Sequence, residues 1–238
     1  KNLDYSKLKS KYGILLDTRF SNCLYNVLPG KQVFTAKIEG KSSHAGTEPE
    51  KGISAIEIAS SAITKMKLGR IDAETSANVG IIQGGNAVNV VTPEVFVSGE
   101  VRSRNATKLK KQMDSMKKAL EQAVKSASKE IDGKLVKPKL DFKITDVIAS
   151  VNIPAGDPFL KRILSAAKSQ NIPLALTPHK APSDASIYFA HGIKIPNLGT
   201  GQRNQHTTNE YLDLKDFFQA AEIVLATILM PCAEQKTV

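Results

Sequence analysis

The chain's pattern predicts an α/β protein in two interleaved parts, a mostly parallel α/β unit split by an inserted ferredoxin-like β-α-β-β-α-β module. Two observations predict it. Residues 33–144 carry, in order, an alternating strand, an amphipathic helix, two strands, a long amphipathic helix and a last alternating strand. The flanking segments, 1–32 and 145–238, instead interleave short apolar strands with helices, the mark of a mostly parallel sheet.

Residues 12–16 form a short apolar strand that ends on Asp17. In the module, Val33, Thr35, Lys37 and Glu39 alternate with Phe34, Ala36 and Ile38 along 33–41. The spacing of Ile56, Ala59, Ile63 and Met66 predicts a helix over 52–66. Strands follow at 77–83 and 95–102, joined by a long connection containing Gly, Asn and Pro. Leu109, Met113, Met116, Leu120, Val124 and Ala127 form a stripe that predicts one helix over 106–130. Alternation at 137–144 closes the module. The chain leaves the α/β layer at about 26–30 and rejoins it near Asp146. Beyond it come a helix at 158–169, with Asp157-Pro158 as its start signal, and a strand at 174–177. A helix at 183–191 stops at Gly192, a strand at 193–198 leads into the loop 199–210, and Asp213 caps a final helix at 214–229.

Composition narrows the function. At 238 residues the chain has room for two small domains and a sizeable core. The 41% hydrophobic and 24% charged residues are ordinary for a globular protein. Cys23 and Cys232 are the only cysteines and form no C-x-x-C pair, which argues against a disulfide scaffold or a thiolate zinc site. The first thirty residues hold no signal peptide, and the apolar run 220–230 carries Glu222 and falls short of the ~20 residues of a membrane span. A cytoplasmic location and no membrane partner are therefore expected. The net charge is +10, much of it from Lys108, Lys110, Lys111, Lys117, Lys118, Lys125 and Lys129 on the long helix. That reads as a solvated basic face, with no nucleic-acid partner. The element order is also that of RNA-binding RRM modules, but those stack bases on central-strand aromatics, and here the two strands offer only Phe96.

Three residues stand out as candidates for chemistry. His44, in Ser43-His44-Ala45-Gly46, follows the first module strand, and His206, in Asn204-Gln205-His206-Thr207-Thr208-Asn209-Glu210, follows the last strand of the α/β part. Asp17 ends the first strand, so Asp17 and the His206 loop both fall at strand ends, where α/β sheets place their ligands. Each has a plainer reading. His44 fits a surface turn, and Asp17 fits a turn residue that ends a strand. His179, beside Pro178, and His191, at a helix C-terminus, read as structural. Ser183 and Asp184 read as a helix cap and first-turn acid. Glu210 is either a partner of His206 or a capping residue.

Taken together, the motifs resemble a known family. Glu39-Gly40-Lys41-Ser42-Ser43-His44-Ala45-Gly46 with Pro49-Glu50-Lys51-Gly52 resembles the opening of the lid, or dimerisation, domain of the dizinc exopeptidases. Gly84-Gly85-Asn86-Ala87-Val88-Asn89-Val90-Val91 and Gly99-Glu100-Val101-Arg102-Ser103 resemble the second lid signature. Ser183-Asp184-Ala185, Asn197-Leu198-Gly199-Thr200-Gly201 and His206-Thr207-Thr208-Asn209-Glu210-Tyr211 resemble the end of the catalytic domain. The wording is closest to the peptidase T-like tripeptidase branch. The resemblance implies that Asp17 is a carboxylate ligand of one zinc ion and His206 the imidazole ligand of the other. It implies a lid His44 that polarises the substrate carbonyl in a neighbouring subunit, and an Asn89 and Arg102 that contact substrate polar groups. Read without it, Asn89 is a turn residue before Pro93 and Arg102 an exposed edge cation. In place of the family's glycines before Ser-Asp-Ala stand Lys180-Ala181-Pro182, its following Asn is here Ser186, and Thr18-Arg19 replaces the small residues after the aspartate.

These readings give a set of expectations. The chain opens Lys1-Asn2-Leu3-Asp4, without an initiator Met and without the family's upstream ligands and general base, so it is expected to be the back portion of a larger enzyme and inactive alone. The whole enzyme is expected to hold two zinc ions, to cleave short peptides and to dimerise through the lid. A carboxypeptidase or N-acyl amino-acid deacylase of the same superfamily, and a non-catalytic dimerisation module, are the alternatives.

Overall fold

The computed structural model describes residues 3–231, so Cys232 lies outside the described residues. The chain divides into two units. One comprises the residues up to Pro29 together with those from Ala149 onward, and the other is Gly30–Ile148.

In chain order the first unit begins with β1 (Leu15–Leu16) and β2 (Cys23–Leu28). β2 escapes pattern reading because it is buried on both faces, so its side chains do not alternate. Its one amide side chain is satisfied, with Asn26 Nδ2 donating to the Ile153 carbonyl at 2.7 Å.

The second unit holds β3 (Gly30–Glu39), α1 (Ala55–Thr64), β4 (Gly69–Arg70), β5 (Thr75–Gly84), β6 (Glu94–Ser103), α2 (Ala106–Ser126), β7 (Lys129–Ile131), β8 (Lys134–Val136) and β9 (Lys139–Ile148). The sheet order is β4-β5-β6-β3-β9, and every pairing is antiparallel. With the short β4 set aside, this is the ferredoxin-like arrangement. Phe34, Ala36 and Ile38 of β3 and Val95, Val97 and Val101 of β6 point into one core with Ile58, Ala59 and Ala62 of α1 and Leu109, Met113, Met116 and Leu120 of α2. Ile56, expected in the α1 stripe, is exposed instead. Ser54 caps the helix through the Glu57 N–H, and this start sets a buried phase of Ala55, Ile58, Ala59 and Ala62. α2 stops at Ser126, short of the expected 130, so Lys129 belongs to β7. Asp132 and Gly133, both at positive φ, turn the β7–β8 hairpin, an Asp-Gly signal visible in the sequence.

The first unit resumes with β10 (Val151–Asn152), α3 (Pro158–Ser169), β11 (Ala175–Pro178), α4 (Ala185–Ala190), β12 (Asn197–Leu198), β13 (Gln202–Arg203), β14 (Tyr211–Leu212) and α5 (Leu214–Leu229). Its sheet is mixed where a mostly parallel one was expected. β1 runs parallel to β12 and β11 parallel to β2, whereas β10 and β12 run antiparallel to β2. Both antiparallel pairings involve β2, the strand the pattern hides. The parallel register of β1 and β12 continues on both sides in backbone bonds from Gly13 N–H to the Lys194 carbonyl and from Asp17 N–H to the Leu198 carbonyl. α3 packs on α5, and Leu160, Ile163, Ala220 and Ile223 join Leu24, Leu28 and Leu198 in a second core. Arg162 of α3 closes the end of α5, its Nε donating to the Thr227 carbonyl at 2.9 Å and Nη1 to that of Pro231 at 3.2 Å. Among the described residues no helix is long and apolar enough to cross a membrane.

Candidate active site

Asp17 sits half-buried at the end of β1, its N–H bound to the Leu198 carbonyl across the parallel pair. Its Oδ1 accepts the Thr18 N–H at 2.8 Å, leaving Oδ2 free of that bond. The segment after it runs against the segment after β12. Thr200 N–H donates to the Thr18 carbonyl at 3.0 Å, and a Cβ at Gly199 would collide with the Phe20 carbonyl, so only glycine permits the approach. Gln202 Oε1 accepts from Thr18 N–H at 3.3 Å and from the Gln205 side chain.

His206 lies exposed in the turn between β13 and β14, at φ 65°. Asn204 is also left-handed, and the turn is closed by Thr207 N–H to the Asn204 carbonyl and by His206 N–H to Glu210 Oε2 at 2.9 Å. Glu210 thus holds the backbone of His206. The fold brings the Asp17 segment alongside the strand that leads to His206. Sequence reasoning missed what ties them: Arg203 Nη1 donates to the Arg19 carbonyl, its Nη2 reaches Asp216 Oδ2 at 2.6 Å, and its guanidinium lies 4.9 Å from the Phe20 ring centre. Ser21 Oγ donates to Asp216 Oδ1 at 2.8 Å. Burial pushes the Asp216 carboxyl up, but the bonds from Arg203 and Ser21 outweigh it and hold the group below its ordinary range. Next to this, on β2, burial and the neighbouring Cys23 push the Tyr25 phenol up to about 12, so it stays neutral.

The other histidines are structural neighbours. His179 packs its ring against Tyr25 at 4.7 Å and bonds the Ala181 backbone, while His191 stacks on Tyr5 at 3.7 Å. Ser183 Oγ accepts the Ala185 N–H at the start of α4, and Asp184 makes no side-chain cap bond.

In the second unit, His44 is exposed on the loop beyond β3. Three backbone bonds knit this loop to 89–93: Ala45 N–H to Asn89 O, Val91 N–H to Ser43 O, and Gly40 N–H to Pro93 O. Gly40 and Gly52 leave no room for a Cβ against the Ile53 carbonyl and Val91. The His44 ring is fixed as well. Nδ1 accepts N–H bonds from Gly46 at 3.1 Å and Thr47 at 3.2 Å. A ring nitrogen that accepts carries no proton, so this geometry assigns the ring proton to Nε2 and leaves that nitrogen as the donor. His44 and Asn89 are brought together here. Arg102 is not with them. It pairs with Lys31 at the opposite end of β6, eight residues past Glu94 and so roughly 27 Å along the strand. Its guanidinium forks onto Glu100 at 2.8 and 3.1 Å.

Comparison with known proteins fits this anatomy. The peptidase dimerisation domain of the M20 family matches residues 28–128. Aminopeptidase PepT from Bacillus cereus is 34% identical, with a TM-score of 0.84 over 95% of this chain and 59% of its own. Residues 28–128 belong to the M20 peptidase dimerisation domain, and the chain resembles the peptidase T-like branch of those peptidases. A tripeptidase from Staphylococcus aureus is 30% identical at a TM-score of 0.81, covering 95% of this chain and 58% of that one. YqjE of Bacillus subtilis is 37% identical over 230 residues, 96% of this chain but 59% of YqjE. The chain therefore spans about three-fifths of the length of these three relatives. YXEP of Bacillus subtilis, described as a dinuclear metal binding peptidase of the M20 family, is 17% identical, covers 94% of this chain and 58% of its own, and shares the fold at a TM-score of 0.68.

Asp17 and His206 fit a metal in kind, offering one carboxylate oxygen and one imidazole nitrogen. They do not fit in number. Among the described residues no three His, Cys, Asp or Glu side chains are grouped to hold an ion. Any site they serve needs donors from elsewhere.

Proposed function

We propose that the full-length protein is a zinc-dependent exopeptidase that removes N-terminal residues from short peptides, and that this chain supplies part of its machinery. Asp17 and His206 would each offer one donor to a metal ion, with the remaining donors coming from elsewhere. Metal held there would supply activation of a water for attack on the peptide carbonyl. His44 supplies an N–H to the carbonyl oxygen as negative charge develops there, Asn89 orients substrate polar groups beside it, and Arg102 takes a carboxylate in its planar fork. For that, Arg102 has to exchange its bond to Glu100 for the substrate.

The observation that carries this reading is the His44 ring. Two backbone N–H groups hold Nδ1, so the loop presents a preset donor at Nε2 and needs no reorganisation as charge builds. Since His44 and Asn89 lie at one end of the sheet and Arg102 at the other, the reading assigns them to different ends of the substrate or to different subunits. It also gives the protein a second copy of itself as partner. The dimerisation match ends at residue 128 and so contains the β5 edge but not β9. Past Ala77, β5 has no strand on its outer side among the described residues, and Ile81 and Ile82 are exposed there. We assign the dimer contact to that edge.

The test is a panel of free-amino and N-blocked tripeptides offered to the full-length protein. Cleavage from the free N-terminus, lost with a chelator and restored by zinc, is expected. His44→Ala should lower kcat by about 10²- to 10³-fold with little change in KM. Preference for N-blocked peptides would replace this reading with the deacylase one. This chain by itself is expected to cleave nothing.

A further inference from the structure

Resting on the reading of Asp17 and His206 as metal ligands, we infer that Arg203 is the positioning residue that fixes one ligand relative to the other, with Asp216 and Ser21 as its anchors. Arg203 stands three residues before His206 and bonds the carbonyl of Arg19, two residues after Asp17. One guanidinium therefore spans both ligand-bearing segments. Its remaining contacts secure the pair to a third element. Nη2 meets Asp216 in the first turn of α5 at 2.6 Å and lies 3.7 Å from Asp213, the cap of that helix. The flat face of the group covers Phe20.

The His206 turn needs such a tie. β13 and β14 share only two residue pairs, too few to hold a hairpin in place by themselves. Asn204 tolerates the left-handed region it occupies, whereas His206, also left-handed, is held there by its surroundings. Within the turn the Thr207–Asn204 and Glu210–His206 bonds hold this conformation, and Arg203 anchors the base of the hairpin from a half-buried position. The Arg203 and Asp216 side chains are 21% and 19% exposed, so their charge-assisted bond is screened less than a surface pair. Ser21, almost fully buried, takes the other Asp216 oxygen and fixes the carboxylate's rotation. A lysine at 203 would keep the charge but could not reach the Arg19 carbonyl and Asp216 together while covering Phe20.

The test compares Arg203→Met, Arg203→Lys and Asp216→Asn with His206→Ala. In this chain, hydrogen exchange is followed across 17–21, 202–210, α3 and the 30–148 unit. In the full-length protein, zinc affinity is measured by chelator competition. Arg203→Met should speed exchange at 17–21 and 202–210 together, leave α3 and 30–148 unchanged, and weaken zinc by roughly 10- to 100-fold. Arg203→Lys should recover little of the zinc loss, and Asp216→Asn should fall between lysine and wild type. Unchanged exchange in both segments and unchanged zinc affinity in Arg203→Met would overturn the inference, as would full recovery by lysine. If Arg203→Met fails to fold, Asp216→Asn decides by the same two measurements. If His206→Ala leaves zinc affinity intact, the ligand reading fails instead, and the paired exchange at 17–21 and 202–210 still judges the tie.

Discussion

The two units meet the same demands in opposite ways. In 30–148, four ten-residue strands pair along almost their whole length, and two helices close one face over a continuous core. The other unit is built from strands of two to six residues, and its last helix leaves Leu214, Phe218, Leu225, Ile228 and Leu229 largely exposed. There Asn197 is fully buried with both side-chain polar atoms unbonded among the described residues, as is the Ser186 hydroxyl. The 30–148 unit also buries Gln32 Oε1 and Ser43 Oγ without a partner among the described residues, so what sets it apart is its long paired strands and continuous core. The unit of short strands depends more on capping side chains and loop ties such as Arg162 and Arg203.

That contrast can be broken most directly in the lid core. Phe34 is fully buried and stacks on Phe142, so Phe34→Ala in the isolated 30–148 unit should cost about 3–5 kcal/mol while the unit still unfolds in one transition. Urea titration checks it, and a 30–148 unit with no cooperative transition to begin with would end the contrast. A smaller loss is expected at Arg162. Its replacement by Met removes the bonds that close α5 and should cost about 1.5–3 kcal/mol, seen as faster exchange over 225–231 with α2 untouched. The smallest effect is one of pH. Asp72 accepts the Glu74 and Thr75 N–H groups and pairs with Lys108, and these hold it at about 2. A depressed carboxylate stabilises the folded state above its unfolded range and loses that contribution as pH falls from about 4 toward 2. Asp157 in the other unit, held below its ordinary range by Lys194 and the Phe159 N–H despite burial, behaves with the same sign. Protection of the Glu74 and Thr75 amides should therefore fade in that window. Asp72→Asn should remove the dependence.

How much of this was legible in the sequence follows the same divide. The lid strands and the α2 stripe announce themselves because each element is buried on one side only, which writes period 2 or 3.6 into the residues. β2 is covered on both faces and writes no period. The hairpins that carry His206 and join α2 to β9 are too short for a pattern, although Asp132-Gly133 marks the second. His44, Asp17 and His206 stand out as residue types in loops and at strand ends, Asn89 enters through the resemblance, and the fold joins the His44 loop to Asn89 and the Asp17 segment to the His206 strand. The family resemblance pairs Arg102 with Asn89, and only the strand register shows the distance between them. The Arg203 network was not legible, since its members are 182 and 13 residues apart (Ser21 to Arg203, and Arg203 to Asp216) and meet only through close packing at Gly199.

The locked imidazole of His44 makes it possible to separate a side chain's two jobs with ordinary amino acids. Asparagine reaches only as far as Nδ1, so it can keep the loop's internal acceptor while offering nothing outward. Glutamine extends to Nε2, so its amide can imitate the outward proton while abandoning the loop. If turnover follows the glutamine variant and loop rigidity follows the asparagine one, scaffold and chemistry reside on opposite edges of a single five-membered ring.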